Sequence, residues 1–248
     1  MRIRLTVAYD GTNYHGWQKQ TNAITVEEVL TTALRELLGE EVELAGASRT
    51  DAGVHALGNV AVFDTATSIP PGKIAVAVNR RLPEDIRVMR SEQVSSSFHP
   101  RYSESRKTYE YTITNAEIQP PTKRLYSYFV YIPLDMGRMR RAAQYLVGEH
   151  DFGGFCSAGS QVMSTIRTIY DIKVWEDGED IRIRITGNGF LYNMVRIIAG
   201  TLIEAGMGRR EPETVWQAVE QSDRSLAGPT APANGLTLIG IQYVNEEK

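Results

Sequence analysis

Residues 25–39, TVEEVLTTALRELLG, predict an amphipathic helix with recognisable signals at both ends. Thr25 and Glu28 have the spacing of a capping box, and Gly39 stands where a helix commonly stops. The apolar residues that fall on one stripe at helical spacing are Val26, Val29, Leu30, Ala33, Leu34, Leu37 and Leu38. Such a stripe needs an apolar partner surface, so the segments around the helix decide the fold.

The segments on either side of this helix predict strands. RIRLTVAYD (2–10) alternates apolar and polar residues, as a half-buried strand does. The segments after the helix predict two strands, a weaker helix and a last strand: VELAGAS (42–48), GNVAVFDT (58–65), GKIAVAVNRRL (72–82) and DIRVMRSEQV (85–94). The order strand, helix, strand, strand, helix, strand is the ferredoxin-like pattern. We therefore expect an N-terminal α+β domain over residues 1–98.

Residues 99–248 predict a second α+β domain of similar organisation. Its predicted elements are the strands KTYEYTITN (107–115), LYSYFVYI (125–132), IRTIYDIKVWE (166–176), DIRIRITGN (180–188) and LTLIGIQYV (236–244), with helices at 135–148, 191–206 and 212–222. Asp177-Gly178 favours a tight hairpin turn. Each half is expected to carry a mainly antiparallel sheet with helices on one face. Two ferredoxin-like halves side by side would form a continuous surface with a central cleft.

The composition is that of an ordinary globular protein, with 42% hydrophobic and 23% charged residues. A single cysteine, Cys156, excludes an intramolecular disulfide, and no Cys/His spacing suits zinc. The first residues predict a strand instead of a signal peptide, and charges interrupt the longest apolar run, which favours a cytoplasmic protein over a membrane protein. The net charge of −3 weighs against nucleic acid as a partner, although residues 101–141 hold eight Lys/Arg against four acids.

Three side chains stand out as candidates for chemistry. Asp51 precedes Ala-Gly between two apolar segments, where a turn would hold its carboxylate at a strand end, although an Asp commonly hydrogen-bonds only its own turn. Arg196 lies within the apolar MVRIIAG, either snorkelling to the surface or paired with a carboxylate from the other half. Tyr109 shares a strand face with other apolar residues, so it fills a core or receives a flat substrate such as an RNA base.

Several blocks of the chain resemble one family in the same order. SRTDAGVHA (48–56) closely resembles the G-R-T-D-x-G-V-H-A signature of the tRNA pseudouridine synthase A family, with Ser48 where the family usually has Gly. The other blocks with this resemblance are YDGTNYHGWQKQ (9–20), TVEEVL (25–30), VNRRLPEDIRV (78–88), FHPRYSESRKTYEYTI (98–113), GNGFLYNMVRIIAGTLIEAG (187–206) and AGPTAPANGLTLIGIQY (227–243). The resemblance therefore covers essentially the whole chain.

The resemblance implies a function and a set of site residues. It implies an isomerase that converts uridine to pseudouridine at positions 38, 39 and 40 in the anticodon stem-loop of tRNA. Asp51 matches the catalytic aspartate, which acts as the nucleophile, and Tyr109 matches the tyrosine that packs against the target base. Arg49 and Arg196 match arginines that line the cleft, and Arg196 is expected to pair with Asp51. The family acts as a homodimer without cofactor or metal.

The residues themselves leave alternatives open. A non-catalytic RNA-binding protein would bind tRNA without Asp51, and a hydrolase of glycosidic bonds would need a second, partnered acid, for which the sequence offers no clear candidate. Ser48, Asp51 and His55 are the residue types of a catalytic triad, but triads are recognised by geometry, not by closeness in sequence. Attack of Asp51 on C6 of the base, attack on C1′, and assistance to a glycal intermediate are equally compatible with the sequence.

Overall fold

A computed structural model describes residues 1–159 and 162–244 and divides into two units. The first unit contains Met1–Ser105 together with the end of the chain from Leu238, and the second contains Arg106–Thr237. The boundary expected after residue 98 falls within the first unit. The closing strand, which the sequence analysis placed in the second domain, returns to the first unit for most of its length.

The sheet of the first unit is built around its first strand. Its strands are β1 (Arg2–Tyr9), β2 (Ala45–Gly46), β3 (His55–Asp64), β4 (Ile86–Val94) and, from the end of the chain, β10 (Leu236–Tyr243). The order is β4-β1-β3-β10, with β2 on β3, and β1 is antiparallel to both of its neighbours. Alternate residues of β1 are buried, as the alternation in the sequence predicts.

The α-helices in the described part of the first unit are α1 (Val26–Leu38) and α2 (Ile74–Val78). The predicted signals of α1 are confirmed, because the Thr25 hydroxyl accepts a hydrogen bond from Glu28 N at 3.4 Å and Gly39 has φ of 67°. The strand predicted over 42–48 is wrong in its extent, since only β2 forms. The Asn59 side chain bonds both backbone polar groups of Ser48, and this side-chain pairing replaces the ladder there.

The second unit contains the remaining strands of the chain described by the structure. Its strands are β5 (Ser105–Asn115), β6 (Tyr128–Val130), β7 (Gly148–Asp151), β8 (Ile166–Asp177) and β9 (Asp180–Gly187). The order is β5-β9-β8-β7, all antiparallel, with the short β6 parallel to β5. The predicted hairpin between β8 and β9 is confirmed, and Gly178 takes φ of 66° in its turn. The sequence analysis missed β7.

The helices of the second unit are α3 (Met136–Gln144), α4 (Met194–Gly206) and α5 (Thr214–Glu220). α3 contacts both α4 and β8. Every residue of α4 is buried except Arg196 and Glu204, which makes it the central helix of the unit. The predicted α+β class with mainly antiparallel strands is confirmed, and the ferredoxin-like arrangement of each half stays a prediction. In the described ranges, no helix is long and apolar enough to cross a membrane.

Candidate active site

Asp51 lies at the first position of a tight turn that leads into β3. The Val54 N–H donates a hydrogen bond to the Asp51 carbonyl at 3.2 Å, and Gly53 has φ of 77°. A positive φ at the third residue of such a turn is the conformation that favours glycine, as predicted for Ala-Gly. The Asp51 side chain is half-buried and the neighbouring Arg49 is exposed. The turn therefore presents a carboxylate that is partly withdrawn from water.

The loop between β1 and α1 packs closely against this turn. The Trp17 N–H donates to the Thr50 carbonyl at 3.1 Å, and the Gly53 N–H donates to the Tyr14 carbonyl at 3.2 Å. Gly16 has φ of 84°, and a Cβ there would overlap the Thr50 carbonyl oxygen and crowd the backbone of Asp51. The two loops thus bond to each other one residue before and two residues after Asp51.

A buried polar network fixes the backbone that leads up to Asp51. Asn59 is fully buried, accepts from Ser48 N at 3.2 Å and donates to the Ser48 carbonyl at 3.0 Å. The same amide donates to the Tyr9 hydroxyl at 3.3 Å, and that hydroxyl lies 2.7 Å from the Thr50 hydroxyl. Buried networks of satisfied polar groups are costly to rearrange. Side chains of β1 and β3 therefore bond the residues on both sides of Arg49, at the Ser48 backbone and at the Thr50 hydroxyl.

The geometry does not form the triad suggested by residue types. His55 Nδ1 accepts from Gly11 N at 3.0 Å and lies 3.1 Å from the Asp10 carboxylate. Ser48 Oγ is buried and has no hydrogen-bond partner among the described residues. A serine nucleophile needs a hydrogen bond to its base, so Ser48 and His55 are not arranged for that chemistry.

The second unit holds Tyr109 and Tyr111 on β5. Tyr109 is 8% exposed and meets Phe190 edge to face, with ring centroids 5.3 Å apart. The hydroxyl of the buried Tyr111 donates to the Pro232 carbonyl at 2.8 Å. Burial raises the pKa of Tyr111 far above its usual value, and the positive charge of nearby Arg196 opposes that rise. Tyr109 thus forms an aromatic pair with Phe190. It lies two residues before Tyr111 on β5, and Tyr111 is near Arg196.

Arg196 lies in the first turn of α4, and its guanidinium is bonded to residues of this unit. Nε donates to the Ala231 carbonyl at 2.8 Å, and Nη1 donates to Asn193 Oδ1 at 2.7 Å. The Ala231 N–H in turn donates to the Arg196 carbonyl at 3.1 Å. A snorkelling arginine would carry its charged group out to water, whereas this one is bonded to protein on two sides.

Residues 228–231, which include the Ala231 carbonyl bonded to Arg196, pack closely against α4. A Cβ at Gly200 would overlap the Pro229 carbonyl oxygen, and the Gly228 N–H donates to the Thr201 hydroxyl at 2.8 Å. Through this packing, the block 227–243 places the Ala231 carbonyl within hydrogen-bond distance of the Arg196 guanidinium. The sequence analysis identified that block only by resemblance.

Comparison with known proteins identifies the family. The family model described as tRNA pseudouridine synthase matches residues 5–103 and 142–244. The chain belongs to the tRNA pseudouridine synthase family. It is 51% identical over 241 residues to a tRNA pseudouridine synthase A of Thermoanaerobacter sp. (strain X514), covering 97% of this chain and 99% of that protein. It is 50% identical over 243 residues to the one of Ruminiclostridium cellulolyticum, covering 98% and 99%.

The matched ranges contain three of the four predicted site residues. Arg49 and Asp51 lie in the first range and Arg196 in the second, whereas Tyr109 lies between them. Arg49 and Asp51 belong to the first unit, two positions apart in the chain. In the second unit, Tyr109 lies on the same strand as Tyr111, which is close enough to Arg196 for that charge to affect its pKa. Among residues 1–159 and 162–244, no group of three or more His, Cys, Asp or Glu side chains could hold a metal ion.

Three residues with clear structural roles at these sites were not singled out from the sequence. Gly16 carries the close approach to Thr50, Asn59 holds Ser48, and Asn193 bonds Arg196. The positions of Gly16 and Asn193 in the quoted blocks were the available signal. Their roles depend on contacts with segments distant in sequence, which local patterns do not encode.

The buried hydroxyl of Ser48 provides a test of this packing. We expect Ser48→Ala to raise the free energy of unfolding by about 1 kcal/mol, because it removes a desolvated hydroxyl without a partner. The measurement is urea unfolding. The matched control is Ser91→Ala, since Ser91 is equally buried but donates to the Pro71 carbonyl at 2.6 Å and accepts from Ala75 N at 2.9 Å. The control should lose stability, and a loss in both variants would contradict the assignment for Ser48.

Proposed function

We propose that this member of the tRNA pseudouridine synthase family converts uridine to pseudouridine at positions 38, 39 and 40 in the anticodon stem-loop of tRNA, with Asp51 as the catalytic nucleophile. The enzyme is an isomerase of uridine in tRNA, which follows from its family and from relatives about 50% identical along nearly their whole length. The observation that supports Asp51 is its place on a turn held by hydrogen bonds at Thr50, one residue before it, and at Gly53, two residues after it.

The reaction explains why a fixed carboxylate suits the task. The bond between N1 and C1′ breaks, the base turns, and a new bond joins C5 to C1′. The hydrogen on C5 leaves as a proton and N1 gains one, so the reaction needs neither an oxidant nor a reductant. A carboxylate that forms a transient covalent bond, or stabilises the charge on C1′, must approach the nucleoside at one defined angle. A turn whose backbone is bonded on both sides meets that requirement.

The other predicted residues supply positive charge and a flat surface. We assign Arg49 and Arg196 to substrate binding near Asp51 and Tyr109 to packing against the target base. Arg49 is exposed close to Asp51 in the chain, and Arg196 holds a positive charge in a helix that is buried except at Arg196 and Glu204. The base must leave its stack before C1′ becomes accessible, and an aromatic ring offers it a replacement surface. The pairing of Arg196 with Asp51 belongs to this proposal.

The test follows tritium released from C5 of uridine in a tRNA transcript. The wild-type enzyme should release tritium into water, and Asp51→Asn should lower the rate at least about 1,000-fold while tRNA affinity is largely kept. Transcripts with a labelled uridine at position 38, 39 or 40 alone assign the positions. The control is Asp64→Asn, which makes the same exchange in an ion pair with Arg2 at the protein surface and should leave the rate unchanged.

The outcomes separate this function from its alternative. Wild-type protein that binds the transcript without releasing tritium would support a non-catalytic RNA-binding protein and overturn the proposal. Near-normal turnover by Asp51→Asn would keep the isomerase but remove Asp51 as its nucleophile. Release from uridines elsewhere in the tRNA would contradict positions 38, 39 and 40.

We further propose that the enzyme acts in the cytoplasm as a homodimer. The monomer has a mass of 27.7 kDa. Light scattering at working concentration should give twice that mass, because a second copy lengthens the surface offered to one tRNA. A mass equal to that of the monomer without tRNA, together with one protein chain per complex when tRNA is bound, would contradict the dimer.

A further inference from the structure

Asn193 has an unusual backbone conformation next to Arg196. Its φ and ψ are 60° and 6°, in the left-handed region that residues other than glycine seldom adopt. Among the described residues other than glycine, only Asn193 and Ser222 have positive φ. Such a conformation costs free energy and persists where surrounding contacts enforce it. The contacts of the Asn193 side chain are therefore candidates for what enforces this conformation.

The side chain does not perform the task that its position would suggest. Asn193 is the N-cap residue of α4, where an asparagine usually accepts a hydrogen bond from the helix backbone, but it makes no such bond. Its Oδ1 instead accepts from Arg196 Nη1 at 2.7 Å, and its Nδ2 donates to Ser157 Oγ at 3.0 Å. The amide is thus held with its oxygen toward the guanidinium.

We propose that Asn193 is a positioning residue, which sets the plane of the Arg196 guanidinium for pseudouridine formation. Nε is held by the Ala231 carbonyl and Nη1 by Asn193, and two contacts at different nitrogens define the orientation of a planar group. In this left-handed conformation the amide is bonded to the Arg196 side chain and not to the helix backbone. This inference rests on the proposed role of Arg196 in substrate binding.

The test removes the amide without imposing strain. In Asn193→Gly, the backbone conformation suits glycine, so the fold should be kept while the acceptor for Arg196 is lost. We expect kcat for tritium release to fall about 10-fold, as loss of one hydrogen bond to a charged group predicts, with KM for tRNA within about twofold. The thermal midpoint should stay within about 3 °C of wild type. Asn193→Ala, which keeps the strain, should lose the same turnover and also some stability.

The matched control is Ser222→Gly. It makes the same change at the other non-glycine residue with positive φ, which contacts the Asp151 carbonyl and not Arg196. Its turnover should equal that of wild type. A comparable loss of turnover in Ser222→Gly would mean that the backbone change itself is responsible, and would overturn the proposal.

A double-mutant cycle with Arg196→Lys tests whether Asn193 acts through Arg196. Lysine keeps the charge but has no guanidinium plane to orient, so Asn193→Gly should cause no further loss in that background. An equal loss in both backgrounds, or turnover within twofold of wild type in Asn193→Gly alone, would overturn the proposal. Wild-type turnover in Arg196→Lys and Arg196→Leu would instead remove Arg196 from the proposed function, which is a distinguishable failure.

Discussion

The backbone of Thr50–Val54 and the loop between β1 and α1 approach each other so closely that no side chain fits between them at Gly16. Hydrogen bonds join the loops at the Thr50 carbonyl and at the Gly53 N–H, with Asp51 between these points. A turn alone would leave the carboxylate on a flexible corner. Because Thr50 and Gly53 are both bonded to the loop between β1 and α1, the position of the Asp51 backbone depends on the fold of the first unit.

In the second unit, the polar group that needs fixed hydrogen-bond partners is the guanidinium of Arg196. An arginine in a buried helix has to be bonded, and α4 is buried along its whole length apart from Arg196 and Glu204. The segment that includes Gly228 and Ala231 lies against α4, and the Ala231 carbonyl accepts a hydrogen bond from Arg196 Nε. Asn193, whose backbone is in the left-handed region, accepts one from Arg196 Nη1. In both units a polar group is therefore held by segments far apart in sequence.

The sequence predicted what local signals encode and missed what long-range contacts decide. The caps of α1, the alternation of β1 and the turn at Gly178 are properties of a few adjacent residues, and all three are present. The strand at 42–48 was predicted too long, because Asn59 takes over the pairing of Ser48. Asp51, Arg49, Tyr109 and Arg196 were identified mainly by resemblance to the family. Asn193 has the pattern of an ordinary N-cap residue, and only its contacts separate it from one.

Single-turnover tritium release by Gly16→Ala measures whether the contact at Gly16 holds Asp51 in the position proposed for catalysis. A Cβ there meets the Thr50 carbonyl oxygen at a positive φ, so the turn must shift. A displacement of about 1 Å predicts a rate about 100-fold lower, with tRNA affinity kept and with wild-type rates for Gly72→Ala, whose Cβ would meet nothing within 4 Å. A folded Gly16→Ala variant that releases tritium at the wild-type rate would show that this contact is not needed to position Asp51.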